Sequence, residues 1–68
     1  MYNFIPVVSS NVSSVGYDGN GLIVKFNSGS IYRYVNAASH FKNILSASSV
    51  GKYLNEYIKP IYKCIRLV

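Results

Sequence analysis

The chain has 68 residues, enough for one domain at most. Half of it is hydrophobic, which excludes a disordered chain, and its single cysteine, Cys64, excludes an internal disulfide framework. Seven basic residues against two acids give a net charge of +5, a balance that attracts polyanions and phosphates and disfavours basic partners.

A chain this short buries only about 60% of its unfolded surface, so tight packing or self-association has to make up the stability. Met1 to Pro6 lack the basic start and long apolar core of a signal peptide. No run approaches the roughly 18 apolar residues of a membrane span. With one lone thiol, the expectation is a cytoplasmic protein, in a bacterial cell or in the host of a phage. The AT-rich codons of its abundant Asn, Ile, Lys, Tyr and Phe suit either origin. Seven tyrosines and three phenylalanines accompany the positive charge. That combination suits nucleotide stacking, and it equally suits a small core rich in tyrosine.

In chain order, Ser9, Ser10, Ser13 and Ser14 lie between Val7-Val8 and Val15 and read as a strand or irregular edge segment. Asp18-Gly19-Asn20-Gly21 is the strongest turn signal, from residues that tolerate positive φ. Leu22, Val24 and Phe26 then alternate with Ile23 and Lys25 as a strand. Asn27-Ser28-Gly29 suits a three-residue hairpin loop with Gly29 left-handed, which pairs Phe26 with Ser30, Val24 with Tyr32 and Leu22 with Tyr34. Both tyrosines then share the face of Leu22, and Arg33 falls opposite. A two-residue loop would exchange the faces; the longer loop is favoured.

The period changes after Asn36, which can cap a helix carrying Ala38, Phe41, Ile44 and Leu45 on one stripe. A break at Ser46–Ser49 precedes a second helix with Val50, Tyr53, Leu54, Tyr57 and Ile58 inward and Lys52, Asn55, Glu56 and Lys59 outward. Pro60 ends it, and Ile61 to Val68 returns as a strand. The sum is one α+β domain over residues 1–68, a small antiparallel sheet with two short helices on one face.

Catalysis is poorly provisioned. Asp18 belongs to a turn, Glu56 sits between Lys52 and Lys59 on a helix, and His40 falls on a helix's solvent side. No cluster has metal-ligand spacing, no cofactor is called for, and Cys64 reads as a small core residue. A non-enzyme is expected.

Anion binding is better supplied. Ser49, Gly51 and Lys52 open the second helix, where they either meet an anion or make a plain serine cap; the Walker pattern is absent. Lys25, Arg33, Lys59, Lys63 and Arg66 form a basic patch if the last strand lies near the hairpin, and an ordinary solvated surface otherwise. Tyr32 and Tyr34 are either core residues or a stacking platform.

Several stretches together resemble the KTSC domain family. Val8-Ser9-Ser10-Asn11, Gly16-Tyr17-Asp18, Leu22 to Phe26 and Gly29 are similar to its first half. Tyr32-Arg33-Tyr34 resembles its Tyr-x-Tyr motif, Ala47 to Asn55 its helical segment, and Ile58-Lys59, Tyr62 and Arg66-Leu67 its ending. The resemblance covers about residues 7–67. Asn36-Ala37-Ala38 departs from the family's Val-Pro, and Cys64 stands in a stretch that is usually more polar. The family includes a domain at the C-terminus of some lysyl-tRNA synthetases and stand-alone bacterial and phage proteins, and the resemblance implies an RNA-binding role.

The leading expectation is therefore a non-catalytic module for RNA. In it Lys25, Arg33, Lys52, Lys59, Lys63 and Arg66, with Ser49 and Gly51, meet phosphates, and Tyr32 or Tyr34 stacks a base. The alternative is a homo-oligomeric accessory protein that binds a host protein or sequesters a nucleotide at a subunit interface. Its motive is the apolar content, including Tyr2, Phe4 and Ile5 ahead of the matched segment.

Overall fold

Strand alternation in the first half and helical spacing in the second give a sheet followed by helices, closed by a last strand. The computed structural model describes residues 3–68; Met1 and Tyr2, the latter part of the apolar leader noted above, lie outside the described residues. The strands are β1 (Ile5–Pro6), β2 (Val12–Asp18), β3 (Gly21–Phe26), β4 (Ile31–Val35) and β5 (Cys64–Arg66). They form one antiparallel sheet in the order β1-β2-β3-β4-β5. Between β4 and β5 come a 3-10 turn (Ala38–His40), helix α1 (Phe41–Leu45), and helix α2 (Val50–Tyr53) continued by a π-helical turn (Leu54–Ile58). This is the expected α+β architecture.

The β3–β4 hairpin has the three-residue loop. Gly29 takes φ +97°, the Phe26 N–H donates to Ser30 O at 2.9 Å, and Val24 and Leu22 pair with Tyr32 and Tyr34. Both tyrosines therefore face the helices, Tyr34 buried at 3% exposure and Tyr32 half-buried. The β2–β3 turn works differently from expectation. Neither Gly19 nor Asn20 has a positive φ; instead Asp18 Oδ1 accepts from the N–H groups of Asn20 (2.8 Å) and Gly21 (3.0 Å).

Strict alternation would put Val12 and Val15 on opposite faces. The register slips between Val12 and Ser14, leaving Ser13 as a bulge, and this turns both valines inward. They join Leu22, Val24, Tyr34, Ala37, Ile44, Val50, Leu54 and Ile58 in the core between sheet and helices.

The second half of the chain departs from expectation at four residues, Asn36, Tyr57, His40 and Cys64. Asn36 does not cap α1: it ends β4 at φ +67°, and the chain enters the 3-10 turn with no side-chain cap. In α2 the buried stripe is Val50, Leu54 and Ile58, while Tyr57 is 51% exposed. The π turn, closed by Lys59 N–H to Leu54 O at 2.9 Å, widens the helix so that residues four apart stay in line. His40 is half-buried and bonded through both ring nitrogens, to the Tyr53 hydroxyl (2.7 Å) and the Tyr62 hydroxyl (3.0 Å). Cys64 is exposed, because the final strand is only Cys64–Arg66 and lies at the sheet edge.

Candidate nucleic-acid interface

Register decides which basic residues can act together. On the sheet face away from the helices lie Ile23, Lys25 and Arg33, joined by Lys63, whose carbonyl accepts from Val35 N–H at 2.8 Å. Arg33 is engaged there. Its Nη2 donates to Asp18 Oδ2 at 2.7 Å, both side chains being 21% exposed. The guanidinium, with help from the Asn20 and Gly21 amides, holds the Asp18 carboxyl below the ordinary carboxylate range. Arg33 Nε is buried with no hydrogen-bond partner among the described residues. Beside this pair Ile23 is fully buried.

The helix side of the sheet carries a groove of 710 Å³. Its aromatic walls are Phe26, Tyr32 and Tyr34, with the Phe26 and Tyr32 rings edge to face at 5.5 Å. Lys59, immediately after the π turn, places Nζ 5.7 Å from the Phe26 ring centroid. Ser28, Ser30 and Cys64 line the remaining sides, with Ser10, Asn11 and Asn27. The hairpin loop is tied to the β1–β2 connection: Asn27 N–H donates to Asn11 O at 2.8 Å, and Asn27 Nδ2 to Ser10 O at 2.9 Å. Arg66 pairs with Tyr32 across β4–β5 and so projects to the same side of the sheet. Its Nε donates to Val68 O at 3.1 Å. Burial first, then the Cys64 thiol, raises the Tyr34 phenol well above its ordinary range, so it is a neutral donor at any physiological pH. Among the described residues no carboxylate lines this groove.

A second groove, of 430 Å³, runs between Val8–Asn11 and α2 and is lined by Ser48, Ser49, Gly51, Lys52, Asn55 and Glu56. The serine cap is formed: Ser49 Oγ accepts from Lys52 N–H at 3.2 Å. What this end offers an anion is the Lys52 side chain, and Glu56 Oε1 lies 4.0 Å from its Nζ. Ser9 Oγ accepts from the N–H groups of Asn11 and Val12, both at 3.3 Å, and fixes the connection that borders both grooves.

The sequence-predicted residues thus divide between two surfaces. Tyr32, Tyr34 and Lys59 gather at the first groove, with Arg66 on the same side of the sheet, and Ser49, Gly51 and Lys52 at the second; Lys25, Arg33 and Lys63 lie on the opposite sheet face. Phe26 was legible as part of the same alternating face. Ser10, Asn11 and Asn27, legible only as a family stretch and a loop residue, join the groove through the hairpin loop's bonds to a distant segment. No described residues form a group of three or more His, Cys, Asp or Glu side chains able to hold a metal ion.

Comparison with known proteins gives a consistent picture. A protein of Tsukamurella paurometabola is 32% identical over 65 residues, spanning 91% of this chain and 97% of that protein. A protein of Stutzerimonas stutzeri is 36% identical over 59 residues, spanning 82% and 83%. The crystal structure of a KTSC domain protein from Yersinia pestis superposes with a TM-score of 0.87 at 28% identity, over the whole of both chains. The KTSC domain matches residues 8–62 of the sequence, and the chain belongs to that family.

Proposed function

We propose that this protein is a non-catalytic module that binds unpaired RNA through the Phe26–Tyr32–Lys59 groove. The supporting observation is chemical: an open groove walled by three aromatic rings, with a cation over one of them and no carboxylate in its lining. A base stacks on a ring face and the following phosphate meets Lys59 or Arg66. Cytoplasmic residence goes with this reading. Among the described residues no helix is long and apolar enough to cross a membrane.

The test is fluorescence anisotropy of a labelled single-stranded RNA at low and moderate salt. Tyr32→Leu should weaken binding by the roughly 1–3 kcal/mol of one base–aromatic stack, and Lys59→Gln should lower both affinity and salt dependence. Bound RNA should also slow alkylation of Cys64, which is exposed in the groove wall. Absence of binding at low salt, or binding indifferent to both substitutions, refutes the assignment.

A second reading, a homo-oligomer, draws on the exposed side chains of Ile61, Ile65 and Val68 around the edge strand β5. Sedimentation equilibrium at micromolar concentration decides it; a monomer removes this reading.

A further inference from the structure

The two grooves share a border. Ser10 and Asn11 line both, and the backbone there is held from one side by Asn27 and from the other by the Ser9 hydroxyl. Beyond it, among the described residues, the second groove carries one cation, Lys52, and the one carboxylate of either lining, Glu56. The acid is not needed to hold the fold, since it is exposed and its one ion-pair contact, at 4.0 Å, is with a still more exposed lysine.

Building on the RNA reading above, we propose that the two grooves are a single track for a few unpaired nucleotides. One base lies against Phe26 and Tyr32, the backbone crosses Ser10–Asn11, and the next phosphates pass Lys52. At about 3.4 Å per stacked nucleotide, the longest dimension of the molecule, 25 Å, limits the whole path to no more than about seven nucleotides. The shared border makes the path continuous, and Glu56 sets its weak end. A mononucleotide occupies the aromatic groove alone, whereas a longer strand must pass the carboxylate.

Glu56→Gln therefore separates the track from a general charge effect. It should tighten a pentanucleotide RNA about two- to fivefold, the range expected for one exposed charge contact, and leave a nucleoside monophosphate unchanged. Lys52→Gln should weaken the pentanucleotide by a similar factor and again spare the monophosphate. Both positions are exposed, and far-ultraviolet circular dichroism confirms that each variant folds. If the wild type binds the pentanucleotide but neither substitution has a length-dependent effect, the track is wrong and only the aromatic groove remains. If the wild type binds neither RNA nor monophosphate, the RNA reading and the track fall together.

Discussion

Replacing Arg33 by methionine should cost stability and leave RNA affinity nearly intact, against the role its place in a basic Tyr-Arg-Tyr motif suggests. The guanidinium meets Asp18 at 2.7 Å with both side chains 21% exposed. At an effective dielectric of about 20, opposite charges some 4 Å apart attract by roughly 4 kcal/mol, and desolvation offsets much of that. The pair lies between a surface bridge, worth about 0–1 kcal/mol, and a buried one, whose breaking costs about 3–5 kcal/mol. A net loss of about 1–3 kcal/mol follows, and in a domain this small each kcal/mol lowers Tm by about 4–8 °C. Asp18→Asn is the matching variant, because its side-chain carbonyl can still accept from the Asn20 and Gly21 amides. The double-mutant cycle should give a coupling of about 1–2 kcal/mol. Sign follows from the depressed Asp18 pKa. Its contribution is complete above the unfolded carboxylate value of about 3.9 and disappears as pH falls through the lower folded value, so the coupling fades in acid. The assays are thermal melting by circular dichroism and RNA anisotropy, with Lys63→Gln as the charge-matched binding control. Zero coupling, or a tenfold loss of RNA affinity at unchanged Tm, would refute the assignment of Arg33 to the fold.

Three further substitutions probe the scaffold. A Cβ at Gly21 would overlap the Tyr34 carbonyl oxygen and come within 2.9 Å of the carbonyl carbon and 3.2 Å of Val35 Cα. Gly21→Ala should therefore part β3 from β4 and cost at least the roughly 1–3 kcal/mol of overpacking, read by urea denaturation. Gly51→Ala should do the opposite: its nearest new neighbour is Ser9 Oγ at 3.8 Å, and exchanging glycine for alanine in a helix adds about 0.5–1 kcal/mol to stability in the same assay. His40→Ala removes both bonds that tie the 3-10 turn to Tyr53 and Tyr62. It should cost about 1–3 kcal/mol and raise amide hydrogen exchange in residues 38–45 more than in β3.

The hairpin register was legible because two independent signals agreed. Gly29 suits the left-handed position of a three-residue loop, and that loop puts Tyr32 and Tyr34 on the face of Leu22, Val24 and Phe26, whereas a two-residue loop would have exchanged the faces. The inward turn of Val12 and Val15 was hidden, since the Ser13 bulge inserts a residue that alternation cannot see. His40 was misplaced because a helical wheel assumes α geometry, whereas the segment starts as a 3-10 turn and its partners lie 13 and 22 residues away. Lys59 and Tyr32 are legible from charge, ring and the family resemblance. Their meeting at one groove depends on where the helical segment ends over the β3–β4 hairpin, which periodicity does not specify. Arg33 shows the reverse case: its pairing with Asp18 follows from β2–β3–β4 register, whereas charge counting places it among the phosphate-binding residues.

This partition of the basic residues limits how strongly salt can act. Single-stranded binding loses affinity with a log–log slope of about −0.7 for each phosphate neutralised. If all seven cations formed one diffuse surface, the slope would approach −5. In the structure Arg33 is bound to Asp18, and Lys25 and Lys63 lie with it on the sheet face away from the grooves. Lys42 lines a separate hollow with Tyr17 and Phe41. That leaves Lys59 and Lys52 in the groove linings and Arg66 on the same side of the sheet as Tyr32. Three contacts predict a slope of about −2, falling by about 0.7 in Lys59→Gln and unchanged in Lys63→Gln. A measured slope near −5, or one that Lys63→Gln reduces, would mean that RNA wraps the opposite face and that charge outweighs the grooves in deciding where it binds.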